Sequence, residues 1–519
     1  MLNGTQILTS AQMRAIESAA IATGQATGLD LMERAGQAVV AAILRKWPEY
    51  ETHTESEPHR VVVLCGPGNN GGDGFVVARL LAEKGWNVTV DLLGDPAHLP
   101  QDARTNHDRW CAIGQVRPVM PEVGYTYQAE LLVDALFGIG LSRPLDKSLW
   151  GVFDGIDEAM HNSSSGPRSP GINHVVAIDV PSGLCADSGR LLADDHLTIR
   201  GADLTVTFHS LKPGHLLADG PNLCGDVVVA PIGLGWMRND PPCHQVTGGH
   251  VAKRGGHKYD HGSALVMAGA SGHGGAARLS ARAALRIGAG LVTIGAPQDA
   301  LPDHAGPPDT LMRRAVDNAG ALRDLIADAR MNAVCIGPGC GVDRSVAMLA
   351  AILSARRSVV LDADALTALS RHPTLMDSLH NACVLTPHMG EFARLFPDLA
   401  ERLGAAPTTG PAYSKLDATR DAAARSGAVV LLKGPDTVIA APDGRARIHS
   451  AFDIPWLATA GAGDVLAGLI TGLLARGFCP LDAAGLATLI HASAARAFGP
   501  GLIADDLPEM IPQVLRELS

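Results

Sequence analysis

Nine consecutive residues, GPGNNGGDG from Gly66 to Gly74, hold five glycines, two asparagines and one aspartate between the apolar run Val61–Cys65 and the helical string FVVARLLAEKGW. A strand running into such a loop brings backbone N–H groups and a helix N-terminus to bear on an anion. Asn69, Asn70 and Asp73 add side chains within the loop, and Gly71 and Gly72 leave room beside them. The loop is expected to hold something polar. It is not the dinucleotide fingerprint GxGxxG, which needs another glycine spacing and an acidic residue about twenty positions on. Two further strand ends carry oxygen ligands. Asp134 closes the run LLVDALFG ahead of the loop GIGLSRP, and Asp179 ends the strand in AIDVPSG, with Ser182 three residues on. Oxygen-only ligands from Asn70, Asp134, Asp179 and Ser182 suit a hard cation, a monovalent one included, better than zinc. Strand-end Asp and Ser also cap helices, so each alone has a structural use; their coincidence on one rim favours a site.

The second half carries a different chemistry. In TAGAGDVLAGLITGLLARG, Gly461, Ala462, Gly463 and Asp464 open an apolar helix. Backbone amides there can stabilise charge on a transferred phosphoryl group, and Asp464 beside them can take a proton from an attacking hydroxyl. An Asp in a first helical turn also has a plain dipole explanation. Four more strings follow strands: GPGCG (Gly337 to Gly341), LDADAL (Leu361 to Leu366), LTPHMGE (Leu385 to Glu391) and LLKGPDTVI (Leu431 to Ile439). HKYDHGSALVMAGASGHGGAA (His257 to Ala277) supplies a second strand-to-glycine loop. Asp362 and Asp364 read equally well as magnesium-side carboxylates or as strand-end caps. His388 alone would be a structural histidine; its place between Pro387 and Gly390-Glu391 favours a site. No GxxxxGK[ST] occurs, which excludes a P-loop enzyme.

These residues need strand ends and helix starts to position them, and the chain alternates accordingly. Helices are expected around Gln12 to Thr23 and Leu29 to Lys46. Strands are expected at Val88 to Leu93, Leu131 to Ala135, Val175 to Asp179 and Leu204 to Thr207, then at Ala264 to Ala268, Leu291 to Ile294, Ala333 to Ile336, Ser358 to Leu361 and Val429 to Leu432. The alternation predicts α/β domains with mainly parallel sheets, which bind ligands at the carboxyl ends of their strands. A chain of 519 residues is too long for one core. The stretch Trp236 to Gly249, rich in proline and glycine, marks the boundary: a first domain of residues 1–236, a linker of 237–249 and a second domain of 250–519. Polar stretches at Glu51 to Arg60 and His161 to Asn173 read as loops, the latter mobile. A net charge of −11 with no basic stripe argues against a nucleic-acid partner. Nine scattered cysteines without a CxxC pair read as reduced thiols. With neither a signal peptide nor a transmembrane-length run, a cytoplasmic protein without a membrane partner is expected.

The order LTSAQMRAIE, LMERAG, GNNGGDG, DALFGIG, IDVPSG resembles the NAD(P)H-hydrate epimerase domain, the YjeF N-terminal family, across residues 1 to 236. The resemblance implies that Asn69, Asn70, Gly71, Gly72 and Asp73, the loop Gly138, Ile139, Gly140, Leu141, Ser142, Arg143 and Pro144, and Asp179 bind a hydrated dinucleotide. It also implies potassium ligation by Asn70, Asp134 and Ser182, with Asp134 or Asp179 as the acid–base group. From about residue 250, TPHxGE and KGxxT ahead of GAGD resemble the ribokinase-like fold and, within it, the ADP-dependent NAD(P)H-hydrate dehydratases. That resemblance implies that Lys433, Gly434, Pro435, Asp436, Thr437 and Gly463 hold ADP or ATP, with magnesium. It further implies that Ala276, Gly339, His388 and Asp464 hold the hydrate, with Asp464 catalytic. The expected partners are hydrated NADH or NADPH and an adenine nucleotide, with the chain in a homo-oligomer. Two other readings stand beside this one. A vitamin-precursor kinase with a regulatory first domain would share GAGD but not the TPHxGE string. A non-catalytic RNA-processing scaffold would need neither NNGGDG nor Asp134, and the acidic charge opposes it.

Overall fold

Strands that run apolar along their whole length, rather than alternating, belong to sheets covered on both faces. Both halves of the chain are built this way. The computed structural model describes residues 6–52, 58–119, 129–163, 171–193, 199–235, 242–249, 251–253 and 255–518. The chain divides into two units, one of Ile7–Asn239 with Ala406–Ser414, the other chiefly of Asp240–Ala405 and Lys415–Ser519.

After a two-residue strand β1 (Gln6–Ile7), the first unit forms β2 (Arg60–Cys65), β3 (Asn87–Leu92), β4 (Val116–Pro118), β5 (Leu131–Ala135), β6 (His174–Ile178), β7 (Leu204–Phe208) and β8 (Asp226–Ala230). The order is β4-β3-β2-β5-β6-β7-β8, parallel throughout. Along β2 the period of two is visible in packing: Val61, Val63 and Cys65 join one core cluster, Val62 and Leu64 the other. The chain reverses its direction of travel across the sheet between β2 and β5, so a crevice opens at their carboxyl ends.

The string expected as a glycine loop is helical instead. The helix Asn69–Glu83 begins inside it, with Gly68 as N-cap. Its glycines serve close packing. A Cβ on Gly71 would stand 2.0 Å from the Gly66 carbonyl oxygen, and one on Gly74 would stand 2.7 Å from Ala135 Cβ. Asn69, Asn70 and Asp73 therefore project from the first turns of a helix.

The second unit forms β9 (Cys243–Gln245), β10 (Ser263–Met267), β11 (Leu291–Ala296), β12 (Met312–Ala315), β13 (Met331–Ile336), β14 (Ser358–Leu361), β15 (Cys383–Leu385), β16 (Val429–Leu432), β17 (Asp436–Ala440) and β18 (Ala446–Ser450). They lie in the order β9-β18-β17-β16-β15-β14-β13-β10-β11-β12. Pairing is parallel except for β16 with β17 and β17 with β18.

Three expectations need amending. Of the linker 237–249, residues 237–241 lie outside the described residues, but Cys243–Gln245 is a strand paired in parallel with Ala446–Ile448. Three residues are too few to show a period. Second, Ala406–Ser414 belongs with the first unit, where Gly410 N–H donates to the Ser142 carbonyl at 2.9 Å and Ala412 packs with Cys185 and Leu192. Third, the loop expected at 161–173 starts late, since the helix Trp150–Ser163 takes its first three residues. Residues 164–170 lie outside the described residues. All nine cysteines are free thiols, and no described helix is long and apolar enough to cross a membrane.

The helix Ala462–Ala475, which carries Asp464, is buried along most of its length against the helix Gly275–Arg286. Gly468 makes this contact possible: a Cβ there would lie 2.1 Å from the Ser280 carbonyl oxygen. Gly468→Ala should cost about 1–3 kcal/mol through overpacking, read as a lower urea midpoint for the intact protein.

Candidate active sites

At the β2–β5 crevice, strand ends converge as the sequence suggested. Asp134, the penultimate residue of β5, is buried and accepts from Ser182 Oγ–H at 2.6 Å, Ser182 N–H at 2.8 Å and Leu136 N–H at 3.2 Å. No helix follows β5 directly, so the capping explanation for Asp134 fails; it ties two loops together. Asn70 adjoins the next loop, since a Cβ on Gly138 would lie 2.8 Å from Asn70 Oδ1. Asn70 Nδ2 is buried without a hydrogen-bond partner among the described residues. Burial pushes the pKa of Asp134 up, against the lowering effect of its three hydrogen bonds. One carboxylate, one amide oxygen and one hydroxyl are oxygen ligands of the kind a hard monovalent cation takes. Ile139 to Pro144 lie beyond, with Gly140, Ser142 and Arg143 exposed.

Asp179 faces different neighbours. Burial would raise its pKa, but the charge of Lys212 and the hydrogen bonds from Lys212 and Thr207 outweigh it and hold the carboxylate below its ordinary value. Lys212 Nζ, 1% exposed, donates to Asp179 Oδ1 at 2.7 Å, to Thr207 Oγ1 at 2.7 Å and to the Phe208 carbonyl at 3.2 Å. Thr207 Oγ–H donates to the same carboxylate oxygen at 2.8 Å. His215 Nε2–H donates to the Asp179 carbonyl at 2.9 Å while its Nδ1 accepts from Lys212 N–H at 2.9 Å. Burial and Lys212 drop the pKa of His215 to about 4, so it stays neutral. This network holds Asp179 at φ 67°, a left-handed conformation costing a non-glycine residue about 1–3 kcal/mol.

Two further carboxyls join the group. Asp73 keeps part of its surface open, yet burial, then the charges of Asp179 and Glu17, push its pKa well above the carboxylate range. Glu17 is raised by burial and then by Asp179. Lys212, Thr207, His215 and Glu17 were missed from sequence. The first three sit at or just after the carboxyl end of β7, and extending the strand-end rule by one strand would have reached them.

In the second unit, Asp464 lies in the first turn of the helix Ala462–Ala475, behind Gly461 at φ 90°. Burial, then the charge of Asp362, raise its pKa to about 6 despite the opposing charge of Lys433. Lys433 Nζ stands 2.9 Å from Asp362 Oδ1 and 3.8 Å from Glu391 Oε2. Burial would lower the pKa of Lys433, but Asp362 and Glu391 outweigh it and keep the ammonium charged. Asp362 occupies an N-cap position without making the cap hydrogen bond, and Asp364 accepts from Gly341 N–H at 2.8 Å. Neither is the helix cap the sequence allowed. His388 does cap: its Nδ1 accepts from Gly390 N–H at 3.0 Å and Glu391 N–H at 3.4 Å, in a capping box with Glu391. Ala276 and Gly339 are neighbours, as a Cβ on Gly339 would lie 3.2 Å from that of Ala276.

Beside Lys433 opens a cavity of about 400 Å³, lined among others by Gly434, Pro435, Thr437 and Gly463. Asp436 is not part of its lining. The carboxylate pairs with Lys415 Nζ at 2.6 Å instead, so its side chain is not available to a nucleotide there. Among the described residues no group of three or more His, Cys, Asp or Glu converges on a metal-sized point.

Two units built on mainly parallel sheets, each with charged groups gathered at its strand ends, define an α/β protein with two separate candidate active sites. Residues 28–214 match the family described as YjeF-related protein N-terminus, and residues 264–513 match the NAD(P)H-hydrate dehydratase family. The chain is 34% identical over 552 residues to a bifunctional NAD(P)H-hydrate repair enzyme of Moorella thermoacetica, covering 99% of this chain and 97% of that one. A counterpart from Coxiella burnetii is 33% identical over 525 residues, covering 97% and 98%. An NAD(P)H-hydrate epimerase of Rhodobacter capsulatus is 49% identical over 232 residues, 44% of this chain and all of that protein. The chain belongs to the bifunctional NAD(P)H-hydrate repair enzymes, with an epimerase and a dehydratase domain. That membership removes the vitamin-kinase and RNA-scaffold alternatives.

Because Asp179 and Lys212 are both buried, removing one strands the other. Lys212→Met should destabilise the protein by about 3–5 kcal/mol, and the double variant Lys212→Met/Asp179→Asn should recover most of that loss. Urea denaturation of the three proteins measures both.

Proposed function

We propose that the first unit interconverts R and S hydrates of NADH or NADPH at the Asp179 cluster, and that the second dehydrates the S form at Asp464, consuming ADP or ATP. The observation that carries this assignment is the lysine in each site that takes one carboxylate of several at hydrogen-bond distance, Lys212 with Asp179 at 2.7 Å and Lys433 with Asp362 at 2.9 Å, the arrangement that separates acids from bases. Asp179, paired with Lys212, is the base of the epimerase, and Asp73, whose pKa burial and then the Asp179 charge push up, is the acid. Asp134 is left to the potassium site with Asn70 and Ser182, since its oxygens are already committed to the loop it ties. Potassium there would supply a fixed positive charge close to the substrate loops Asn69–Asp73 and Gly138–Pro144.

In the second unit Ala276, Gly339, His388 and Asp464 hold the hydrate, and the cavity beside Lys433, Gly434, Pro435, Thr437 and Gly463 takes the nucleotide. Asp464 removes the proton of the ring hydroxyl, whose oxygen attacks the terminal phosphoryl group; the bond to the nucleotide breaks and AMP or ADP leaves. The ring nitrogen lone pair then expels phosphate, and loss of a proton from the adjacent carbon restores the dihydronicotinamide. Amides of Gly461 to Gly463 stabilise the transferred group at the helix N-terminus. Magnesium carried on the nucleotide phosphates, near Asp362 and Asp364, would neutralise charge on that group. The carboxylate-rich surroundings suit such an ion, which keeps several waters and needs few protein ligands.

On a mixture of S and R hydrates with ADP and magnesium, the near-ultraviolet absorbance of the restored ring should recover completely with the intact protein. Asp179→Asn should recover only the S fraction beyond the spontaneous rate, and Asp464→Asn should slow recovery by about 10²–10⁴. Complete recovery by both variants would refute the residue assignment.

The pH dependence follows from the sign of the Asp464 shift. A base with its pKa raised to about 6 is protonated below that pH. Dehydratase kcat/KM should therefore be flat above about pH 6 and fall about tenfold per unit below it.

A further inference from the structure

The loop that leads into the helix Gly275–Arg286 is held by a carboxylate that none of the sequence motifs contains. Four of the seven residues from 269 to 275 are glycine, so this backbone gives up much conformational freedom on becoming ordered. Its start is fixed by Arg344, whose Nε–H donates to the Ala268 carbonyl at 2.9 Å. Its middle is a turn, closed by His273 N–H donating to the Ala270 carbonyl at 3.1 Å, with Gly272 at φ 84° in the third position. Such a turn gives the amide of its third residue no partner of its own, and Asp303 takes it. Asp303 Oδ2 accepts from Gly272 N–H at 2.8 Å and from Ser271 Oγ–H at 2.8 Å.

Asp303 is itself fixed. It lies in the 3₁₀ helix Gln298–His304, and Arg278 of the helix Gly275–Arg286 donates to the Asp303 carbonyl at 3.2 Å and to the Pro307 carbonyl at 3.0 Å. The next residue, His304, is 2% exposed and packs against Gly274, where a Cβ would stand 2.8 Å from His304 Cε1. Neither ring nitrogen of His304 has a hydrogen-bond partner among the described residues, so it supports the loop by packing alone. Asp303 supplies the directional bonds, and those bonds, the Gly272 N–H first, lower its carboxyl pKa. The loop also meets the residues assigned to the hydrate. A Cβ on Gly339 would lie 2.8 Å from the His273 carbonyl oxygen and 3.2 Å from Ala276 Cβ.

We infer that Asp303 is a positioning residue of the dehydratase: through the Ser271–Gly272 turn it fixes the backbone that sets Ala276 and Gly339 in place for the hydrate. This rests on the assignment of the hydrate to Ala276, Gly339, His388 and Asp464. None of residues 269 to 276 lines the cavity beside Lys433, so the influence of Asp303 falls on the hydrate and not on the nucleotide. Without the carboxylate the glycine-rich turn samples other conformations, and the hydrate binds only the fraction of molecules whose loop is in place. The oxygen acts as an acceptor and not as a charge. A neutral amide oxygen at the same point has two lone pairs and can take both bonds.

The test is steady-state dehydration of the S hydrate by the full chain with ADP and magnesium, beside urea denaturation of each protein. Asp303→Ala should raise KM for the hydrate about tenfold or more and leave KM for ADP and kcat within about threefold. Asp303→Asn should return KM for the hydrate to within about threefold of the unsubstituted value. An unchanged KM for the hydrate in a folded Asp303→Ala protein overturns the proposal, since a merely structural carboxylate would lower the urea midpoint and do no more. Equal rises in both KM values also overturn it, because they mark a general loss of structure. So does Asp303→Asn behaving like Asp303→Ala. Ala276→Leu, which crowds the hydrate residues, separates the underlying assignment: an unchanged KM for the hydrate in that variant places the hydrate elsewhere and sinks both readings. A raised KM there, with Asp303→Ala unaltered, sinks only the role of Asp303.

Discussion

Lys212 is the group on which the first site turns, because it is a buried ammonium that pairs with one acid where two more lie within that acid's field. Its Nζ lies against Asp179, while Asp73 and Glu17 sit within the field of the same carboxylate. One positive charge can hold one carboxylate ionised in a low-dielectric space; the others must keep their protons or leave the interior. The lysine thus sets which carboxyl has its pKa lowered while those of its neighbours are raised. It can do so only because Thr207, the Phe208 carbonyl and the His215 hydrogen bond to the Asp179 carbonyl fix both partners in place. An ion pair this deep contributes little net stability, since the desolvation of both charges offsets their attraction. What it contributes is a defined charge state.

The second unit solves a similar problem with other parts. Lys433 again meets several carboxylates: Asp362 takes it directly, Glu391 stands farther off, and Asp464 is left with a raised pKa. The two sheets differ in strand order and in the antiparallel pairs of the second, yet each puts its charged residues at strand ends. There backbone N–H groups and helix starts are available and side chains can leave the apolar layers. The helix Ala462–Ala475 shows the cost of this placement. It has to bury nearly its whole length, close enough to the helix Gly275–Arg286 that only glycine fits at position 468, so that its first turn can present Asp464.

Much of this was readable before any coordinates. The apolar runs marked the strands around both sites, and the meeting of Asp134 with Ser182 followed from counting strand ends. What escaped has physical reasons. Lys212 sits in HSLKPGH, where a lysine ordinarily reads as solvated, and only its contact across the sheet with Asp179 shows otherwise. Asp436 was grouped with its motif neighbours, but β17 turns alternate residues to opposite faces. Thr437 therefore lines the cavity, while Asp436 pairs with Lys415. Some glycines of GPGNNGGDG also answer a packing demand, Gly74 against Ala135 and Cys65 and Gly71 against the Gly66 carbonyl, and a sequence cannot say whether a glycine is there for its φ or for its missing Cβ. The segment Ala406–Ser414 lies far along the chain from the unit it joins, which no local pattern reveals.

Counting charges also separates the two cation proposals. Around Asp134 the donor set holds one carboxylate with an amide and a hydroxyl, so a monovalent ion neutralises it and a divalent ion would leave excess positive charge in a buried space. Around Lys433, Asp362, Asp364 and Asp464 act on one another against a single ammonium, and the phosphates of a nucleotide would add more negative charge. Neutrality there calls for a divalent ion, and it calls for one only when the nucleotide arrives. This is consistent with a site in which no three ligands converge beforehand. On this proposal the first cation would belong to the scaffold that shapes its site, and the second would travel with the substrate.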